Sequence, residues 1–374
     1  MIKIVQNPFR DGLIDTSAYS DAATKKIRAF HASLPVYNQT PLVKLDNLKN
    51  IRAVYIKNES LRFGLKSFKA LGGVWAVYNL ISQYLGLINP SVNEILAHRD
   101  EISHLTFVTT TDGNHGKGIS WAAGLFSCKS IVFMPKNSAQ ARAQAIQDAG
   151  SAKVTITDMN YDDCVKFSAQ FAADNNFFLV QDTSWANYEQ IPAQIMLGYS
   201  TLAYEAINQM NFKPPTHIFL QAGVGSMAAA VAAVFNENFP CPRITIVEPT
   251  EVAGFYESFR VADGKIHSAT GNLQTIMAGL NCATPCELAW NILRHIATDS
   301  AIISDSDAVN AMKFLANHNI IAGESGCAAF ALALAAINNK NLRQQLQLDE
   351  DSIIFVINTE GDTDPLNCLR EIGK

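Results

Sequence analysis

The chain has 374 residues and a formal net charge of -5; 48% of its residues are hydrophobic and 17% charged. That much apolar material excludes an intrinsically disordered chain, and the lack of a basic run argues against nucleic acid or an acidic membrane surface as partner. The length exceeds the reach of one hydrophobic core, roughly 250–300 residues, so two domains are expected.

In chain order, short β-rich runs alternate with helical ones. The opening "MIKIVQNPFRDG" has no apolar signal-peptide core. "RAVYIKNES" (52–60) reads as a strand and "SFKALGGVWAVYNLISQYL" (67–85) as a helix with apolar positions every three or four residues. "LTFVTTT" (105–111) is a strand, "GKGISWAAGLF" a helix, "SIVFMP" a strand, and "SAQARAQAIQDAG" a helix for which Gly150 is the expected stop. "KVTITD" and "FFLVQD" continue as strands, "IPAQIMLGYSTLAYEAINQM" as a long helix, and "THIFLQAG" and "RITIVEP" as strands. The small-apolar run from Met227 suits a buried helix, and no stretch reaches the ~18 unbroken apolar residues of a membrane span. "DGKIHSATGNLQTIMAGLNCATP" (263–285) is the longest irregular stretch and is expected to be a mobile loop, and "SIIFVINTEG" reads as a last buried strand. Such alternation predicts an α/β fold with mostly parallel sheets and right-handed crossovers. Seven cysteines (Cys128, Cys164, Cys241, Cys282, Cys286, Cys327 and Cys368) form no CxxC pair, so no metal is expected. Thiols point to a reducing, cytoplasmic location.

Four stretches can carry chemistry. "RFGLKSFKALGG" (62–73) puts Lys66 and Lys69 at a helix opening, where Phe68 and the positive helix end disfavour an ammonium and so suit a nucleophilic amine. Solvated surface lysines remain the alternative. "QAGVGSMAAA" (221–230) places Gly223, Gly225 and Ser226 between a strand and a helix, a phosphate cradle or an ordinary tight turn. It matches neither GxGxxG nor a Walker loop. "NTEGDTD" (358–364) sets Thr359 at the carboxyl end of a strand, where open parallel sheets bind ligands. "TTTDGNHGKG" (109–118) places Thr111, Asp112, Gly113, Asn114 and His115 in a strand-to-helix turn, where Asp112 is either a helix cap or a catalytic carboxylate. Asp182, in "VQDTSW", ends a strand.

Together these stretches supply an amine, a phosphate cradle, a ring-binding asparagine turn and a polar strand end, which are the requirements of pyridoxal 5'-phosphate. Their order, from about Pro41 to Pro365, resembles the tryptophan synthase β / threonine dehydratase superfamily, the fold type II pyridoxal phosphate enzymes. "TDGNHGKGISWAA", "YEQIPAQIMLGY", "TIMAGLNC" and "TEGDTDP" narrow the resemblance to the diaminopropionate ammonia-lyase family. The resemblance implies a homodimer whose chain divides into a large cofactor-anchoring domain (1–85 and 191–374) and a small mobile domain (86–190) that carries the DGNHG turn, each an open, mostly parallel twisted sheet flanked by helices.

By motif, it implies Lys69 as the Schiff-base lysine, Phe68 beside the ring and Asn114 on the ring hydroxyl. Gly223, Val224, Gly225, Ser226 and Met227 become the phosphate donors, and Thr359 faces the pyridine nitrogen. A neutral threonine there leaves that nitrogen unprotonated, which suits elimination over transamination. The activity implied is conversion of D- and L-2,3-diaminopropionate to pyruvate and two ammonia. The substrate carboxylate is then expected on backbone N–H groups of the Thr111–His115 turn, with Lys69 and Asp112 as bases on opposite faces. The substrate ammonium is expected on Asp112 or, second, on Asp182. "GLKSFK" departs from the family's "GLNAFK" and adds the cation Lys66. The rival expectations are a serine/threonine dehydratase or racemase of the same superfamily, with Asp112 only a cap; a non-catalytic amino-acid sensor; and an NAD enzyme.

Overall fold

The computed structural model describes residues 2–46, 48–240 and 242–373. Cys241, one of the seven thiols, lies outside the described residues. Among those described, no disulfide joins the cysteines, no cluster of His, Cys, Asp and Glu is set to hold a metal ion, and no helix is long and apolar enough to cross a membrane.

The chain forms two compact units. The first comprises Met1–Ala23, Gln39–Leu61 and Leu202–Lys374, the second Thr24–Asn38 and Arg62–Thr201. The first unit holds β1 (Lys3–Gln6), β2 (Leu42–Leu45) and β3 (Ala53–Asn58); the second holds β4 (Thr106–Thr110), β5 (Lys129–Met134), β6 (Lys153–Ile156) and β7 (Phe178–Leu179). The first unit then continues with β8 (His217–Gln221), β9 (Arg243–Pro249), β10 (Asp299–Ile303) and β11 (Ile353–Asn358).

The seven strands of the first unit run in the order β1-β10-β9-β8-β11-β3-β2. Only the edge strands β1 and β2 pair antiparallel. The central strands are parallel, and the residues of β8 and β10 are all buried, as expected for a sheet covered on both faces. The helices Ser226–Asn238 and Ala328–Asn338 are built mostly of alanine and other apolar residues and are almost wholly buried.

The second unit has a four-stranded, all-parallel sheet in the order β6-β5-β4-β7. Here the helix Lys69–Leu85, buried along most of its length, belongs with the helix Asn114–Leu125, whereas the sequence grouped residues 1–85 with the other region. His31 helps to hold it: Nε2–H donates to Leu71 O at 3.0 Å, and Nδ1 accepts from Thr201 Oγ1 at 2.7 Å.

One stop signal falls differently from expectation. The helix Gln140–Gly150 runs through Gly150, and Ser151 takes the left-handed position with φ +62°. Gly150 is needed for contact instead: a Cβ there would meet Ser120 O at 1.8 Å. The run "FFLVQD" yields only the two-residue strand β7, paired with β4. The 263–285 stretch is irregular apart from a short helical turn at Ala278–Leu280, and Gly279 N–H is tied to Ser325 Oγ at 2.9 Å.

Candidate active site

In the second unit the loop before Lys69 is wound tightly. Phe63, Gly64 and Lys66 all take positive φ, and Leu65 N–H closes onto Arg62 O at 2.8 Å. Phe68 is buried, and Lys69 opens its helix with Nζ 5.4 Å from the Phe68 ring centroid. The Lys69 ammonium meets Asp182 Oδ2 at 2.5 Å. The sequence placed only charge-disfavouring neighbours around this amine; the structure adds a carboxylate that favours the charged form. Lys66 is half-buried at its left-handed position, three residues earlier.

His115 is buried, and its Nε2–H donates to Val180 O at 2.8 Å. Since a carbonyl only accepts, this bond fixes the tautomer, and burial lowers the imidazole's pKa and keeps the ring neutral. Nδ1 therefore has no proton to give, lacks a hydrogen-bond partner, and lies 3.7 Å from Asp182 Oδ2. Burial works to raise the Asp182 carboxyl, yet His115 and Lys69 draw it down to about 2. With His115 neutral, Lys69 is the partner that stands.

The Thr111–Asn114 turn follows β4. Gly113, not Asp112, occupies the cap position of the helix Asn114–Leu125, and Thr111 Oγ1 accepts from Gly113 N–H at 2.9 Å. Thr111 N–H is also spent, on Phe133 O at 3.1 Å. Two of the donors expected to cradle a carboxylate over Thr111–His115, the Thr111 and Gly113 N–H groups, are thus already committed.

In the first unit, the chain leaves β8 through Gly223 and Val224 to Gly225, which has φ +93°. A Cβ at Gly225 would sit 2.4 Å from Phe255 Cζ, so both conformation and space demand glycine. Gly225 has no side chain with which to cap the helix Ser226–Asn238 that follows, and a helix N-terminus carries a positive dipole end that suits an anion. Val224 and Met227 bury their side chains and offer a ligand only backbone.

Thr359 follows the neighbouring strand β11 and is buried. Gln221 Nε2 donates to Thr359 Oγ1 at 3.2 Å and to the carbonyls of Ser325, Gly326 and Ile357 at 3.2, 2.9 and 3.0 Å. Two amide protons serve these four acceptors, and the Thr359 hydroxyl can both accept from Gln221 and donate to a ligand. Sequence reasoning missed Gln221, whose signal was a lone polar residue closing the apolar strand "THIFLQ". It also missed Tyr199, whose ring lies 4.9 Å from Phe68 and whose buried hydroxyl has no partner.

A helix start behind an obligatory glycine, a buried threonine hydroxyl and a half-buried lysine amine are groups that suit a phosphorylated heteroaromatic aldehyde. The model of the pyridoxal-phosphate dependent enzyme family matches residues 34–360. The chain is 40% identical to the diaminopropionate ammonia-lyase of Escherichia coli strain K12 in an alignment covering 99% of this chain and 96% of that protein.

The chain belongs to the diaminopropionate ammonia-lyase family of pyridoxal-phosphate dependent enzymes.

Two crystal structures of the E. coli family member, one in complex with D-serine and one with an aminoacrylate-PLP azomethine reaction intermediate, match this chain with TM-scores of 0.92. Each is 38% identical and covers 100% of this chain and 97% of its own. The cofactor of this ammonia-lyase family member is pyridoxal phosphate, and the fold is the type II fold expected from its sequence.

Proposed function

We propose that the chain eliminates ammonia from 2,3-diaminopropionate, accepts both the D and the L isomer, and yields pyruvate and two ammonia. It acts as a cytoplasmic homodimer. Lys69 would hold the cofactor through its amine, the Gly223–Met227 backbone its phosphate, Asn114 its ring hydroxyl and Thr359 its ring nitrogen, with Phe68 beside it. When bound, pyridoxal phosphate supplies an electron sink that acidifies the Cα–H of an attached amino acid.

The observation that carries this reading is the Asp182 carboxylate, which already binds an ammonium at 2.5 Å. A substrate amine that displaces Lys69 leaves that buried carboxylate without its cation. 2,3-Diaminopropionate brings a second ammonium to replace it; serine and threonine bring only a hydroxyl. Two unit charges 4 Å apart attract by about 4 kcal/mol at an effective dielectric near 20, before desolvation is subtracted. By holding the β-amine as ammonium, Asp182 also keeps it a competent leaving group until the C–N bond breaks. Lys69 takes the Cα proton of one isomer and Asp112 that of the other. Released aminoacrylate hydrolyses in water to pyruvate and the second ammonia.

The test is pyruvate formation from D- and L-diaminopropionate, D- and L-serine and L-threonine. Wild type should favour both diaminopropionates by roughly 10²-fold or more in kcat/KM, since a site built for a polar group rejects analogues that leave it unpaired. Asp182→Asn should erase most of that preference, and Asp112→Asn should lower turnover of one enantiomer far more than the other. Equal wild-type use of serine or threonine would establish the dehydratase reading instead. Unchanged turnover of both isomers in Asp112→Asn would remove Asp112 from the mechanism.

A further inference from the structure

One cation beside the Thr111–Asn114 turn has no assigned task. Arg142 is the third residue of the helix Gln140–Gly150, where the positive helix end disfavours a cation. Its chain lies across the turn: a Cβ on Gly113 would sit 3.4 Å from Arg142 Cδ and 3.9 Å from Cγ. The next atom, Nε, is sealed from solvent and has no hydrogen-bond partner. Among the described residues no carboxylate pairs with this guanidinium.

Part of the turn's donor capacity is already committed. Thr111 N–H and Gly113 N–H are spent on Phe133 O and Thr111 Oγ1, while a carboxylate offers about four lone-pair sites. A guanidinium presents a planar fork that matches such a group, and here the fork is anchored over the same turn. An arginine held without an anion, at a helix position that costs stability, has a partner that arrives with the ligand.

We infer that Arg142 is a substrate-binding residue: its guanidinium completes the site for the α-carboxylate of the amino acid, opposite the N–H groups of the turn. The inference rests on the proposed reading of that turn as the carboxylate end of the substrate site. It assigns Arg142 to specificity for free amino acids over their amides and esters.

The experiment compares 2,3-diaminopropionate with its carboxamide, 2,3-diaminopropanamide, by ammonia release from the holoenzyme. Arg142→Met should raise KM and lower kcat/KM for the acid by roughly 10- to 100-fold, the factor a hydrogen bond to a charged group carries. It should change kcat/KM for the carboxamide by less than about threefold, because that substrate never gained from the charge. Arg142→Lys should recover only part of the loss, since it restores the charge without the fork. Equal losses on acid and amide, or no loss on the acid, would overturn the inference. A fold defect lowers both substrates together and appears in the melting temperature, in which case Arg142→Lys carries the comparison. Absorbance titration of the holoenzyme with D-serine and D-serinamide gives a second readout: only the D-serine affinity should weaken in Arg142→Met. If wild type releases no ammonia from diaminopropionate, the functional reading fails, while this titration still decides the role of Arg142.

Discussion

The candidate residues of the two units differ in the materials they offer. After β8 and β11, the candidate cofactor residues of the first unit are backbone, glycine and a hydroxyl, with the Gln221 amide near four acceptors and the buried carboxylate of Glu360 next in the chain after Thr359. The second unit offers charge and unmet valence: Lys69 against Asp182, a His115 nitrogen without a partner, and an Arg142 Nε sealed and unbonded. Holding a phosphate and a ring requires shape and fixed dipoles, which a sheet end and a helix terminus supply without strain elsewhere. Moving protons and choosing between cations requires groups that folding leaves short of partners. Substitutions in the first unit's part of the site should therefore act on cofactor affinity, and those in the second on turnover.

Lys69→Ala is the strongest test of that division. It removes both the amine that anchors the cofactor and one of the two proposed bases. Turnover of both diaminopropionate isomers should fall by roughly 10³-fold or more, the scale on which losing a covalent catalytic group acts. The phosphate cradle is untouched, so the variant should still retain cofactor through dialysis. A variant that loses all cofactor but works when cofactor is added back would break the division.

Gly225→Ala tests the other side. The new Cβ would stand 2.4 and 2.6 Å from Phe255 Cζ and Cε2, at a backbone φ of +93°. Overpacking and left-handed strain cost about 1–3 kcal/mol each, and the strain falls on the end of the helix that faces the phosphate. Cofactor affinity, measured by equilibrium dialysis, should weaken by roughly tenfold or more. At saturating cofactor kcat should stay within about threefold of wild type. A fall in kcat at saturation would show that the first unit does more than hold the cofactor.

The same contrast explains what could be read from the sequence. Lys69, Gly223–Met227 and Thr359 sit in motifs where chemistry and local backbone coincide, so a dozen consecutive residues announce them. The strand–helix alternation was legible for the same reason, since periodicity is local. Arg142 was invisible because its place over Gly113 depends on one helix packing against a turn 29 residues earlier. The orphan hydroxyl of Tyr199 likewise appears only once its helix is packed against Phe68. Gly150 looked like a helix stop because glycine usually is one, and only the approach of Ser120 O shows why a side chain is forbidden there. For Asp112 the sequence left a cap and a catalytic carboxylate open, and the structure sets Gly113 at the N-cap position.

The smallest expected effect concerns a buried carboxyl of the first unit. Glu248, in β9, is buried and accepts from Phe255 N–H at 2.8 Å, Tyr256 N–H at 2.7 Å and Ser300 Oγ at 3.1 Å. Burial outweighs those three donors and lifts its carboxyl to about 7. The folded protein thus binds this proton more tightly than the unfolded chain, and the associated stability is full below about pH 4.5 and lost as pH rises through about 7. His217 works in the opposite sense: burial lowers it to about 4, so its contribution grows as pH rises from about 4 to 6.5. A raw melting curve mixes the two, but Glu248→Gln removes one and leaves the other. The melting temperature of wild type minus that of Glu248→Gln should fall steadily between about pH 5 and pH 8. A flat difference would mean that Glu248 stays charged when folded.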